Sequence, residues 1–177
     1  MVETNHIDAL YDSLRRTCTL DIVEPKSEEF NLLEKYVNKS ASHIDNRVKK
    51  IDAVFKITRK KEELAFNPKK HSGKKLLFHG SRADNFYRIL AEGLKISPKE
   101  VPHTAFNFGR GVYFTDFFYK ASQYCRPYLS DNNCLIIVCE VALGTPQSLL
   151  STNTEAHNLP NGCHSTECLG VNQSIPA

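Results

Sequence analysis

The strongest constraint on the fold of this chain is the apolar run Leu135-Ile136-Ile137-Val138-Cys139-Glu140-Val141. A run of this length and composition is typical of a β-strand, and no other segment of the chain is as apolar. With 177 residues and 41% hydrophobic residues, the chain is long enough for one domain with a core. No apolar stretch reaches the length of a membrane span, and the N-terminus lacks a secretion-signal pattern. The sequence therefore predicts one globular, soluble domain with no membrane association.

Short helices and short strands are predicted around this run. The periodicity of apolar residues predicts helices over residues 7–14, 27–39, 84–92 and 116–124. Strands are predicted over residues 18–23, from about Val48 into the charged stretch 59–63, over 75–79, and over 112–114. From Gly144 onward the sequence shows no periodicity, and no element is predicted there. This mixture, without an internal repeat, predicts the α+β class.

The charge distribution and the cysteine content indicate which partners and which cellular location to expect for this protein. The net charge of +3 is uneven, because residues 1–75 hold 16 Lys and Arg against 12 Asp and Glu. The lysines alternate with apolar residues as on a solvated strand, and no aromatic residues interleave to stack bases. Direct DNA binding is therefore not expected. Six cysteines without a secretion signal indicate reduced thiols and an intracellular location.

Two motifs suggest a binding site. His79-Gly80-Ser81 follows a short apolar strand, at a position where side chains open into a cleft. About thirty residues later, Gly109-Arg110-Gly111 permits a tight backbone turn before Val112-Tyr113-Phe114. Lys120 and Tyr124 follow on the next predicted helix. Each of these residues alone could be an ordinary core or surface side chain, but together they favour a site.

Taken together, the motifs resemble the catalytic domain of poly(ADP-ribose) polymerases. The resemblance is dense from Leu76 to Gly144 and weaker from Leu20 to Phe55. It implies an ADP-ribosyltransferase fold with two small packed β-sheets and flanking helices. It also implies a single partial catalytic domain over residues 1–177, with leading helices and strands in 1–75, an NAD-binding core in 76–144 and a substrate-loop region in 145–177.

The resemblance further implies that NAD is the co-substrate and that ADP-ribose passes to protein acceptors with release of nicotinamide. Cleavage of the nicotinamide–ribose bond has an oxocarbenium-like transition state, so the site must hold the leaving group and support charge on the sugar. His79 and Tyr113 are the implied catalytic residues. The implied contacts are Gly80 with the nicotinamide amide, Tyr113 and Tyr124 with the two ring faces, His79 with a ribose hydroxyl, Ser81, Asn85 and Lys95 with adenosine, and Lys120 with the nicotinamide ribose and the acceptor. A nuclear location is implied, with the cytoplasm as the alternative.

The sequence departs from the family pattern at several positions. Ala121 stands where a serine is expected to donate to the nicotinamide amide, Lys95 replaces an arginine, and Cys168 replaces a glycine. No residue matches the catalytic glutamate of a late strand, so the last strands are expected to be missing and activity impaired. The group His157, Cys163, His164 and Cys168 lacks the tight spacing of structural zinc ligands, and no metal is expected.

Two other functions remain open from the sequence. A non-catalytic NAD or ADP-ribose binding module needs only the residues that grip the dinucleotide. A cysteine hydrolase pairing His79 with Cys125 needs a thiolate in a cleft.

Overall fold

A computed structural model of the chain describes residues 5–40, 50–67, 73–96 and 106–169. The helices are α1 (His6–Arg15), α2 (Glu28–Ser40), α3 (Lys60–Ala65), α4 (Phe86–Glu92) and α5 (Phe118–Gln123). The strands are β1 (Thr19–Ile22), β2 (Phe55–Thr58), β3 (Lys74–Gly80), β4 (Ile136–Ala142), β5 (Pro146–Leu149) and β6 (Ser165–Cys168). The α+β class is confirmed. None of the helices in these ranges is long and apolar enough to cross a membrane.

The strands form three two-stranded sheets in the described part of the chain, where two sheets were expected. β1 pairs with β2 and β3 pairs with β4, both antiparallel, whereas β5 pairs with β6 in parallel. The apolar run is confirmed as a strand, and β4 aligns along the whole of β3 from Lys74 opposite Ala142 to Gly80 opposite Ile136. This register places the His79-Gly80-Ser81 motif at the free end of the longest sheet.

The core is built around Phe78 of β3, whose side chain is completely buried. The Tyr36 ring of α2 stacks on Phe78 at 4.8 Å, and the Phe118 ring of α5 meets it edge-on at 5.5 Å. Val37 and Ala121 complete the buried cluster. Aromatic contacts of this kind add to the stabilisation from burial of apolar area. Phe78 therefore holds α2 and α5 on β3, immediately before the motif begins.

Three predictions of secondary structure differ from the elements in the structure. The strand expected from Val48 begins at Phe55, although Val23 N–H still donates to Val54 O at 2.9 Å. Val48 itself lies outside the described residues. The charged stretch after β2 forms the helix α3. The sequence prediction extended the strand into this stretch, because the strand-like alternation runs up to it. The prediction of a strand over 112–114 is wrong. The backbone there pairs with β3 only at the next residue, Thr115, which forms an isolated bridge with Phe78.

The segment after Gly144, for which no element was predicted, contains β5 and β6. Neither strand shows the apolar alternation that marks a strand in sequence. Contacts between residues far apart in the sequence flank this parallel ladder. His164 N–H donates to Thr145 O at 2.8 Å, and Lys75 forms an ion pair with Glu167 at 3.1 Å. Tertiary contacts therefore determine these strands.

Candidate functional site

Gly80 brings the end of β3 against α5. A Cβ atom at this position would lie 1.9 Å from Ala121 O and 2.7 Å from Ala121 C. Because these are backbone atoms, no change of side-chain rotamer relieves the clash. Glycine at residue 80 is therefore needed for packing, and α5 runs directly across the end of the strand.

The His79 ring is hydrogen-bonded to the backbone of the segment that contains Tyr113. His79 Nδ1 lies 2.8 Å from Tyr113 O. A carbonyl only accepts hydrogen bonds, so Nδ1 carries the proton and Nε2 of the neutral ring is left as an acceptor. Burial lowers the pKa of His79, an effect that the hydrogen bond to Tyr113 opposes. The imidazole is thus a neutral, oriented acceptor at neutral pH.

The Tyr113 hydroxyl closes the turn that precedes it. It donates to Gly109 O at 2.6 Å and accepts from Phe108 N–H at 3.2 Å. Gly109 has φ +73°, and a Cβ there would lie 2.6 Å from His157 N. Glycine is therefore required by both conformation and space. The Tyr113 side chain is anchored at its hydroxyl, yet the residue remains 42% exposed.

α5 presents Lys120 and Tyr124 on its exposed side. They are four residues apart, so they lie on one face of the helix. Tyr124, at the C-terminal end of the helix, is 57% exposed. Ala121 is buried against β3, and the neighbouring Ser122 hydroxyl donates to Tyr119 O at 2.7 Å within the helix. Ser122 does not take the position of the serine that the family pattern places at residue 121.

The residues expected on the adenosine side are held by contacts near the start and end of α4. Asn85 Nδ2 donates to Ser81 Oγ at 2.9 Å. Arg82 pairs with Asp84, and this hydrogen bond lowers the pKa of the Asp84 carboxyl. Lys95 lies beyond the end of α4 and forms an ion pair with Glu92, the last residue of that helix. Ser81 and Asn85 are therefore brought together at the end of β3, whereas Lys95 forms its ion pair at the far end of α4.

Cys125 does not suit the hydrolase hypothesis. Its buried Sγ lies 3.3 Å from Leu135 O, and burial is the main cause that raises its pKa to about 12. A nucleophilic cysteine needs a lowered pKa and an accessible sulfur. The structure therefore contradicts a Cys125 nucleophile paired with His79.

The segment after β5 packs on the loop that contains Gly109. A cleft of about 520 Å³ there is lined by Phe106, Arg110, Thr154, Glu155 and His157. Asn153 N–H donates to Asn107 O at 2.8 Å, and His164 Nδ1 accepts from Thr145 N–H at 3.2 Å.

Among the residues that the structure describes, no three His, Cys, Asp or Glu side chains form a group that could hold a metal ion.

Two structural contributions to the site were not predicted. Thr115 bridges to Phe78 through a pair of backbone hydrogen bonds of 2.7 and 3.0 Å, which positions the chain between Tyr113 and α5. His157 packs on Gly109 from a segment that was expected to be irregular. The only sequence signal for the second contact is the glycine pair at residues 109 and 111, which indicates close approach but not its partner.

Comparison with known proteins identifies the family. The family model "Poly(ADP-ribose) polymerase catalytic domain" matches residues 27–176. The chain is 36% identical over 177 residues to poly(ADP-ribose) polymerase 2-A of Oryza sativa subsp. japonica, covering 98% of this chain and 26% of the relative. It is 37% identical over 172 residues to poly(ADP-ribose) polymerase 1 of Gallus gallus, covering 96% of this chain and 17% of the relative.

A third relative is poly(ADP-ribose) polymerase 2 of Homo sapiens, with 36% identity over 166 residues, covering 93% of this chain and 28% of the relative. The chain thus spans less than a third of the length of these curated relatives. The family match extends over most of the sequence and includes the end of β3, the 109–113 turn and α5. The chain belongs to the poly(ADP-ribose) polymerase catalytic-domain family.

Proposed function

We propose that this chain binds NAD⁺ and acts in the transfer of ADP-ribose from NAD⁺ to protein acceptors, with release of nicotinamide. The observation that carries the proposal is the junction of three segments at the end of β3. Gly80 packs on the α5 backbone, and His79 is hydrogen-bonded to the backbone of Tyr113 at 2.8 Å. These contacts tie together the strand end, the tyrosine turn and the helix on which the family motifs lie.

The His79 ring suits recognition of a sugar hydroxyl. With Nδ1 donating to Tyr113 O, Nε2 is an acceptor for one ribose hydroxyl. The lowered pKa of His79 keeps Nε2 unprotonated, so the interaction persists at neutral pH. In this proposal His79 orients the ribose whose bond to nicotinamide breaks.

The two tyrosines suit a flat aromatic ligand. Tyr113 is 42% exposed and its hydroxyl is already used in the turn, while Tyr124 is 57% exposed on a short helix. Their rings are proposed to flank nicotinamide, with the Gly80 backbone pairing with its amide. Stacking on each ring contributes about 0.5–1.5 kcal/mol beyond area burial.

The remaining predicted contacts extend the proposal along the dinucleotide. Ser81, Asn85 and Lys95 are assigned to the adenosine side, and Lys120 to the nicotinamide ribose and the acceptor. Lys120 is exposed on the same face of α5 as Tyr124, which leaves its charge available. The proposed site of action is the nucleus, which imaging of a fluorescent fusion in cells would check.

Binding and chemistry are separated by one paired experiment. Calorimetry with NAD⁺, ADP-ribose and nicotinamide measures binding, and release of nicotinamide from labelled NAD⁺ measures cleavage. The Tyr124→Ala variant should weaken NAD⁺ binding about fivefold to tenfold, because it removes one stacking face. Tyr11→Ala is the matched control, since Tyr11 is 52% exposed on α1 and its loss should leave binding unchanged.

Three outcomes distinguish the functions. Binding together with nicotinamide release that His79→Ala abolishes supports the transferase. Binding without release supports a non-catalytic NAD or ADP-ribose binding module. No binding of any of the three ligands refutes the proposed site.

A further inference from the structure

Arg59, the residue that follows β2, has a charged side chain that the proposed chemistry does not use. This side chain is only 10% exposed, although arginine is mostly a surface residue. The Arg59 carbonyl accepts from Glu62 N–H at 2.9 Å and from Glu63 N–H at 3.0 Å, and these bonds begin α3. The side chain takes no part in them, so its burial has another basis.

The Arg59 guanidinium reaches the C-terminal end of α4. Its Nη1 donates to Ile89 O at 3.1 Å and lies 3.3 Å from Glu62 Oε1. Ile89 O also accepts from Gly93 N–H, at 2.8 Å. The carbonyl end of a helix carries partial negative charge, so a cation there is favourable. Arg59 therefore joins the end of β2 to the end of α4.

Gly93 leaves the space that the guanidinium occupies. A Cβ atom at this residue would lie 2.5 Å from Nη1 and 2.8 Å from Nη2 of Arg59, and 2.6 Å from Glu62 Oε1. Gly93 also has φ +86°, a conformation that glycine adopts readily and other residues do not. The Arg59–Glu62 pair thus packs directly over the glycine that ends α4.

The short helix α4 depends on contacts at both of its ends. A helix of seven residues is not stable by itself in water and relies on tertiary packing. Phe86 at its start is buried, and Arg59 holds the opposite end. Asn85, which donates to Ser81 Oγ at 2.9 Å, precedes α4, and Lys95 follows it. The placement of α4 therefore determines how the three residues assigned to adenosine stand relative to one another.

The nicotinamide side of the proposed site is positioned by other segments. Gly80 packs on the backbone of Ala121 in α5. Tyr113 lies in the turn that its own hydroxyl closes on Gly109 O at 2.6 Å, and Tyr124 follows the last residue of α5. None of these contacts involves α4 or Arg59. Separate parts of the chain would therefore hold the two halves of the dinucleotide.

We propose that Arg59 is a positioning residue for the adenosine half of the dinucleotide. By holding the end of α4, its guanidinium sets the separation of Ser81 and Asn85 from Lys95, and it contacts no ligand atom itself. The role in binding rests on the function proposed above, whereas the anchoring of α4 does not. The consequence is selective, because loss of the contact weakens ligands that contain adenosine and spares nicotinamide.

The test compares Arg59→Met with Lys60→Met in the full chain. Methionine fills much of the space of the arginine stem but has no donor for Ile89 O. Lys60→Met makes a similar change at the adjoining residue, whose side chain is exposed. Calorimetry measures the dissociation constants of ADP-ribose and of nicotinamide separately. In Arg59→Met the constant for ADP-ribose should rise about tenfold and that for nicotinamide less than about twofold, and Lys60→Met should change neither.

Two further measurements separate positioning from a general loss of structure. Arg59→Lys restores a charged donor on a shorter side chain, and it should recover part of the ADP-ribose affinity. Hydrogen exchange at the Gly93 amide should accelerate in Arg59→Met, because the end of α4 opens more often without the guanidinium. The same amide should keep its exchange rate in Lys60→Met.

Each outcome has a distinct meaning. Equal weakening of both ligands in Arg59→Met would reduce Arg59 to a general structural role, and an unchanged affinity for ADP-ribose would remove it from binding altogether. Either result overturns the proposal. Unchanged exchange at Gly93 would overturn the anchoring of α4. If the parent chain binds neither ligand, the proposed function fails and the role in binding fails with it, while exchange at Gly93 still decides the anchoring.

Discussion

Replacing Gly80 by alanine tests the contact on which the site depends. The added Cβ would stand 1.9 Å from Ala121 O, whereas nonbonded heavy atoms prefer a separation of about 3.5 Å. The end of β3 and α5 must therefore separate by about 1.5 Å. The movement pulls Phe118 and Ala121 away from Phe78, the centre of the core.

The expected loss in the free energy of unfolding is about 3 kcal/mol, at the upper end of the range for overpacked sites. The upper end applies because the obstructing atom is a backbone oxygen, which a rotamer change cannot move. Such a loss is a large fraction of the typical stability of a domain, about 5–15 kcal/mol. NAD⁺ binding should fall as well, since the displaced helix carries Lys120 and Tyr124.

Gly111→Ala provides the matched control. It makes the same chemical change in the neighbouring motif, but a Cβ at Gly111 would have no atom within 4 Å. Urea denaturation of the two variants and the parent measures the difference directly, and calorimetry measures NAD⁺ binding. If Gly80→Ala proves as stable as Gly111→Ala and binds NAD⁺ equally well, the packing role assigned to Gly80 is wrong.

Two further predictions concern the charge of His79 and the burial of Phe78. Because the folded-state pKa of His79 is lowered, its contribution to stability is fully present above the unfolded pKa of about 6.5 and is lost as pH falls through the folded pKa. His79→Gln should flatten this acid-side loss in urea denaturation curves measured at several pH values, and an unchanged pH profile would contradict it. Phe78→Ala should lower the free energy of unfolding by about 3–5 kcal/mol, because Phe78 is completely buried between two rings. Phe55→Ala, at a residue 53% exposed, should cost less than half as much in the same denaturation assay, and equal losses would refute the assignment of Phe78 to the core.

The segments predicted well from sequence carry their own local signal. The run at residues 135–141 and the partner at 75–79 are confirmed as β4 and β3, because apolar residues fill both. Gly93 marks the end of α4, as predicted, with φ +86°. The motifs also located the strand end and the tyrosine turn, because glycine and a strand-end histidine have specific geometric uses.

Other features depend on residues far apart in the chain, and no local pattern encodes them. The short strand predicted over 112–114 fails because its backbone meets β3 only at Thr115. The parallel pairing of β5 with β6 is flanked by the Lys75–Glu167 ion pair and the Thr145–His164 contacts, which join residues far apart in the sequence.

The sequence by itself determined the α+β class, the two longest strands and the family of this protein, because periodicity and motif spacing are properties of contiguous residues. Only the tertiary structure decided which atoms meet. It placed the α5 backbone on Gly80, the His79 ring on Tyr113 O, and Cys125 beyond use as a nucleophile. These outcomes depend on close packing and on the burial of charge, which arise only when distant segments come together.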